Sequence, residues 1–285
     1  MNDGFFPSDS AMWRLNREHF VLLGGSAAAI LQAAHPMVAM GVAAHSEFRD
    51  DTLGRLRRTL DAVYAIAFGT KEDVEQVMRT VRAAHARVKG DTPQKYSAMD
   101  PDAQMWVLAT LIMTTVEMHR RCATPPSLEE LNRFYADMRL FGLCFGLDSA
   151  TGPQTWDQFS GYYEAMISGP LLGSHPLCAE VANAILSPRR PIALRLLAPL
   201  LMPLACDYVP EPVRTRLHLQ GRRWHRPATW VFERCVRLFL PILPNSIRYG
   251  AAYRQAVSKH QGTQGRQGTK LREDVNRNLM KEGTK

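Results

Sequence analysis

Apolar residues along this chain recur at intervals of three and four, and no stretch sustains the alternation of a half-buried strand. That periodicity predicts helices throughout and an all-α fold. The densest apolar stretch is FVLLGGSAAAILQAAHPMVAMGVAAH, residues 20–45. It follows a polar N-terminal arm, residues 1–12, and a helix expected to open at Trp13 and to run through Arg14, Arg17 and Glu18 into it. The stretch is long enough to span a bilayer, but Gly24, Gly25, Gln32, His35, Pro36, Gly41 and His45 interrupt it. A buried helix pair broken at Pro36 fits better, and the small residues Gly24, Gly25, Ala27, Ala28 and Ala29 leave room for another backbone or a flat ligand.

The segment from Arg55 to Gly90 carries the most chemistry. Leu53, Leu56, Leu60, Val63 and Ala67 make one apolar stripe, and across from it Arg55, Arg58 and Thr59 fall at i, i+3 and i+4 on a single side. Asp51 stands four residues before Arg55, a spacing suited to orient its guanidinium. Thr70, with Asp73 three residues on, signals the N-cap of a second helix, and Gly90 its C-cap. In that helix Val74, Val77, Met78, Val81, His85 and Val88 share a stripe, which sets His85 among apolar residues. Two readings of His85 are open. It is a core histidine whose ring nitrogens meet backbone carbonyls, or it is a metal ligand, since neutral imidazole in a dry pocket is the usual protein ligand of haem iron. In the second case Arg55 or Arg58 suits a propionate or bound dioxygen; in the first they form a solvated edge. His35 and His45 are the next ligand candidates after His85.

Further helices are marked by their caps. Asp100 and Pro101 start one expected to reach Cys122, with Trp106, Ala109, Leu111, Ile112, Met113 and Val116 facing the core. Ser127 and Glu130 form a capping box for another, and helices are expected over Trp156–Met166, Leu177–Leu186 and Thr229–Leu240. At 46% hydrophobic and 22% charged residues the composition is that of a soluble globular chain. Half of the net charge of +8 lies in residues 259–285, whose lack of periodicity indicates a disordered basic tail. The arginines between Arg189 and Arg226 are interleaved with Leu and Pro, a pattern suited to a membrane surface or an anionic ligand; no nucleic-acid-binding signature is present. Five scattered cysteines, without a CxxC pair or a signal peptide, point to reduced thiols and a cytoplasmic protein, with peripheral membrane contact allowed by the charge.

The order of GGSAAAILQAAHPMVAMGVAAHSEF, RLRRTL, VRAAHARVKG and YSAMDPDAQMWVLATL resembles the rubber oxygenase (latex clearing protein) catalytic domain family, which includes the MpaB-type oxygenase of mycophenolic acid biosynthesis. The resemblance spans about residues 13–255. It implies a single globin-like helical domain, here residues 13–258, with a buried pocket for haem b, and oxidative cleavage of isoprenoid carbon–carbon double bonds with dioxygen. Carried over by position, His85 is the axial metal ligand, Arg55, Arg58 and Thr59 are catalytic residues on the distal side, and Arg55 and Arg58 also contact the cofactor. Two positions depart from the family. Rubber oxygenases have lysine where this chain has Arg58, and a guanidinium is always protonated and cannot ligate iron. Many relatives read WVHAT where this chain reads WVLAT, with Leu108 in place of the histidine. The resemblance therefore implies a haem b-dependent oxygenase for a hydrophobic, isoprenoid or other alkene substrate. The alternatives are a haem-binding or sensing protein without turnover and a haem-free helical protein at a membrane surface.

Overall fold

The computed structural model describes residues 4–45, 52–92, 94–148, 152–187, 202–219 and 224–259, without the side chains of 52–57. The expected tail beyond Lys259, most of the Arg189–Arg226 arginine cluster and Asp51 lie outside the described residues. What is described is all-α apart from one short hairpin, as the periodicity predicts. The segment ahead of the first helix is docked rather than free: Phe6 is buried and the Phe5 amide donates to the Gly69 carbonyl at 3.1 Å.

Helix α1 (Ala11–Asn16) ends where a longer helix was expected. Glu18 leaves the helical conformation because its buried carboxylate accepts two hydrogen bonds from Arg248, each 2.8 Å. A 3₁₀ turn (His19–Gly24) then leads into α2 (Gly25–Ala33) and α3 (Pro36–His45), which are bent by 100° at the proline break. No single described helix is long and apolar enough to cross a membrane. The apolar stretch is spent on the core instead. A Cβ on Gly24 would lie 2.4 Å from Thr114 Cγ2 and 2.9 Å from Met118 Cγ, so this position admits only glycine at the observed spacing.

The element so closely approached is α6 (Pro101–Cys122), capped by Asp100 with Pro101 in its first turn, as expected. Trp106, Ala109, Ile112 and Val116 are fully buried, whereas Leu111 and Met113 are half-buried at the edge of the stripe. The Trp106 indole stacks on Tyr163 and donates from Nε1 to the Leu31 carbonyl at 2.7 Å, joining α6 to α2. Helix α6 packs against α1, the 3₁₀ turn, α2, α7 (Leu128–Phe145) and α12 (His225–Phe239), while α4 (Thr52–Phe68), α5 (Lys71–Arg87), α8 (Trp156–Ser168) and α9 (Pro176–Leu186) complete the first part of the chain. The chain continues through α10 (202–208), α11 (Glu211–Arg216), α12 (His225–Phe239), a 3₁₀ turn (Leu240–Ile242), α13 (Asn245–Arg248) and α14 (251–259). Helix α12 begins one turn before the expected Thr229. Both predicted capping boxes, Thr70 with Asp73 and Ser127 with Glu130, are formed.

The last turn of α6 carries an ion-pair cluster. Arg121 bridges Glu117 on its own helix, Asp207 on α10 at 3.2 Å and Glu233 on α12 at 3.1 Å. Asp207 and Glu233 are only 14% and 13% exposed, and the Arg121 guanidinium is the cation nearest to both carboxylates among the described ion pairs, with Arg226 a longer partner of Asp207 at 3.7 Å. Arg121→Ala is expected to destabilise the fold by about 3 kcal/mol, the lower end of the range for breaking a buried pair. Denaturant unfolding checks this, and a change below about 0.5 kcal/mol would show that water replaces the guanidinium without loss.

Candidate functional site

Three of the segments that carry the family resemblance, the end of α3, the end of α5 and the start of α6, are far apart in sequence and meet at the C-terminal end of α5. Helix α5 is closed by Val88 rather than by Gly90. Gly90 belongs instead to β1 (Lys89–Gly90), paired antiparallel with β2 (Tyr96–Ser97) in the register Gly90↔Tyr96. Glycine is required there for a different reason from a cap, because a Cβ would sit 2.6 Å from the Tyr96 hydroxyl oxygen. His45, at the end of α3, places Nε2 2.9 Å from that hydroxyl and 3.2 Å from the Lys89 carbonyl, to which it donates. On the same side Gly41 lets α3 approach so closely that a Cβ would lie 3.1 Å from Val88 Cγ1. The Ala98 amide donates to the Val88 carbonyl at 2.9 Å, and Gln104 of α6 donates to the Ala98 carbonyl at 3.0 Å. Arg82, one turn before His85, donates to the Leu143 carbonyl of α7 at 3.1 Å. The turn that bears His85 is thus held from α3, the hairpin, α6 and α7.

His85 itself is half-buried. Its stripe lies at a boundary rather than deep in the core: Val74 is buried, whereas Val77, Met78 and Val81 are half-buried. Nδ1 of His85 is sealed from solvent and has no hydrogen-bond partner among the described residues. Burial alone lowers its pKa, so the ring is neutral at neutral pH. A structural core histidine would have its nitrogens satisfied. His119 shows that case, with Nε2–H donating to the Leu15 carbonyl at 2.9 Å. His85 is instead a neutral imidazole with an unused polar atom, the state in which histidine ligates metals.

His35 is the second such residue, and the sequence placed it only among the reserves. It lies at the α2–α3 corner, 4% exposed, with Nδ1 likewise buried and unpartnered among the described residues. Burial lowers its pKa and is opposed by the charges of Asp100 and Asp102 at the start of α6. The signal that could have raised it is its place between Ala33, Ala34 and Pro36, in the most apolar stretch of the chain.

Arg58 and Thr59 are on the exposed side of α4, and the side chain of Arg55 lies outside the described residues. Position 55 precedes Phe68, the end of α4, by 68 − 55 = 13 residues, and His85 follows Lys71, the start of α5, by 85 − 71 = 14. At 1.5 Å per residue both stand roughly 20 Å from the Gly69–Thr70 link, at about the same level of the hairpin, with Arg58 and Thr59 a turn nearer the link. Leu108, at the position where the resemblance implies a histidine, is buried and packs against Gly142 of α7. A cavity of about 240 Å³ lies elsewhere, lined by Leu31, Met113, Arg121, Tyr163, Asp207 and Tyr208 among others. It is smaller than the roughly 300 Å³ at which small-molecule sites usually begin, and none of the sequence-derived site residues reaches it. No group of three or more His, Cys, Asp or Glu side chains among the described residues could hold a bare metal ion.

The histidines give the fold a pH dependence of definite sign. Burial depresses the pKa of His35, His85 and His119, so the unfolded chain binds more protons than the folded one. Their contribution is complete above about 6.5, the unfolded value, and is lost as pH falls through each depressed folded value. The melting temperature is therefore expected to fall between pH 7.5 and pH 5, and His35→Gln should reduce that slope. A slope unchanged in the variant would show that His35 is solvated in solution. Asp137, whose pKa burial raises, acts in the opposite sense at lower pH.

Comparison with known proteins adds the following. No solved structure matches the chain. Two curated relatives, uncharacterised proteins of Mycobacterium bovis and Mycobacterium tuberculosis, are each 27% identical over 115 residues, 39% of this chain and 45% of theirs. The chain thus aligns with less than half the length of these relatives. The family model described as the catalytic domain of the ER-bound oxygenase mpaB/B' and rubber oxygenase matches residues 13–240, from α1 to the end of α12. The chain belongs to the MpaB/rubber oxygenase catalytic domain family.

Proposed function

We propose that this protein is an oxygenase that uses haem b and dioxygen to oxidise a hydrophobic substrate with a carbon–carbon double bond, His85 holding the iron. The observation that carries the cofactor assignment is the buried, unpartnered Nδ1 of His85 in a ring that burial keeps neutral. Membership of an oxygenase family supports the reaction class. The donor set fits haem: one neutral imidazole suffices for the porphyrin iron, whereas a bare ion would need a cluster. Haem b, when bound, supplies the activation of dioxygen.

The chain's own residues supply the rest. His85 is positioned by the contacts of the α5 terminus described above and stays unprotonated at neutral pH because its surroundings disfavour the imidazolium. Arg58 offers permanently charged N–H donors, and Thr59 a hydroxyl, to stabilise negative charge as it develops on oxygen. Arg58 is always protonated, so where the resemblance expects lysine this chain would offer hydrogen-bond donors and no iron ligand. Arg55 is left to pair with a carboxylate of the cofactor.

The purified protein should show a Soret band, and His85→Ala should lose it while the helical circular dichroism is retained. Absence of the band after reconstitution with haem would refute the cofactor. Full haem in the variant would pass the ligand role to His35, whose Nδ1 is also buried and unpartnered. Arg58→Ala should keep its haem and slow oxygen consumption with an alkene substrate roughly ten- to a hundredfold, the loss of one charge-assisted hydrogen bond of about 1.5–3 kcal/mol. Unchanged turnover would place Arg58 outside the reaction.

A further inference from the structure

We propose that the outward face of α12 and the turn after it dock on the surface of an anionic lipid membrane. Helix α12 is apolar on two sides, and the fold covers only one. Inward it buries His225 and Thr229, packs Phe232 and Val236 against the core, and commits Glu233 to Arg121. Outward, Pro227, Trp230, Val231, Arg234, Cys235 and Leu238 follow one another at steps of three, one, three, one and three, a single helical face. Trp230 is 57% exposed, Val231 53% and Leu238 70%. Trp224 before the face, and Phe239 and Ile242 beyond it, are exposed as well. Isolated exposed apolar residues are ordinary, but a contiguous set on one face marks an interaction surface.

The charges on this face select the occupant. Between Trp224 and Arg248 the only acid is Glu233, and it points inward to Arg121. Arg226, Arg234 and Arg237 are exposed, with the Arg234 guanidinium 5.4 Å from the centre of the Trp230 ring and Arg226 3.7 Å from Asp207. Tryptophan beside arginine, with leucine and isoleucine projecting further, is the chemistry of a helix lying in the plane of a lipid interface, apolar groups in the acyl boundary and guanidinium groups at anionic headgroups. A second copy of the chain is a poorer occupant, because a two-fold contact on this face would set one copy's arginines against the other's. The inference does not depend on the haem assignment.

Sedimentation of the full chain with phosphatidylcholine vesicles, with and without phosphatidylserine, tests it. Binding is expected to the serine-containing vesicles and to be at least about tenfold weaker to phosphatidylcholine alone. It should come with a blue shift of tryptophan emission, since Trp13, Trp106 and Trp156 are already buried and Trp224 and Trp230 are not. The double variant Trp230→Ser, Leu238→Ser should lose at least about tenfold in binding with an unchanged melting temperature. Arg234→Glu should weaken binding to serine-containing vesicles only. Three results would overturn the proposal: no binding to either vesicle, binding that salt abolishes and the double variant leaves intact, which is the behaviour of the basic 259–285 segment, or a dimer in sedimentation velocity that the double variant abolishes.

Discussion

The approach of α2 to α6 at Gly24, where a Cβ would lie 2.4 Å from Thr114 Cγ2, sets the geometry around it. With no side chain at that position, the start of α2 lies directly on α6, and about two turns along the Trp106 indole can then reach the Leu31 carbonyl. A core packed at crystal-like density transmits such a spacing to whatever is laid over it. Helix α9 is laid over both α2 and α3, so the direction of α3, and with it the position of His45, follows from a contact at the other end of the apolar stretch. The side chain that would disturb the arrangement is a single methyl group.

The consequence for chemistry appears at the end of α5. The histidine of interest is not fixed by a hydrogen bond of its own; it is fixed by the backbone on which it stands. Val88, three residues on, is held by α3 and by the Ala98 amide, and Arg82, three residues before, by the end of α7. Rigid support beneath an unpaired side chain is what a ligand residue needs, because a ring nitrogen already engaged elsewhere would have to give up that bond to take up a metal. His45 is the contrasting case. Its Nε2 is occupied by Lys89 and Tyr96, and the residue serves to fasten α3 to the hairpin.

Much of this was legible in the sequence because it depends on local signals. The capping boxes at Thr70 and Ser127, the Asp100–Pro101 start of α6 and the break at Pro36 are decided within four residues. Features decided by distant partners were not legible. Glu18 leaves a promising helix only because Arg248 lies against it, and Gly90 looks like a cap until Tyr96 is seen packed on it. The site divides in the same way. His85 could be singled out from its stripe, but that its Nδ1 is left without a partner, while the ring of His119 is satisfied by Leu15, is a property of the packed structure. Periodicity likewise marks Trp230 and Leu238 as apolar without saying that the fold leaves them uncovered.

The corner between α2 and α3 also bears on the order of folding. The Ala34 carbonyl, freed by the bend, accepts its hydrogen bond from the Gly173 amide at 2.7 Å, and the cover over both helices comes from α9, which starts at Pro176. The partners are separated by 173 − 34 = 139 residues, so this closure is among the costly, late contacts of the chain. During synthesis the most apolar segment of the chain emerges well before α9 and waits for it. Over that interval, roughly ten seconds at ordinary translation rates, residues 20–45 are an adhesive surface that needs a chaperone or dilution to remain productive.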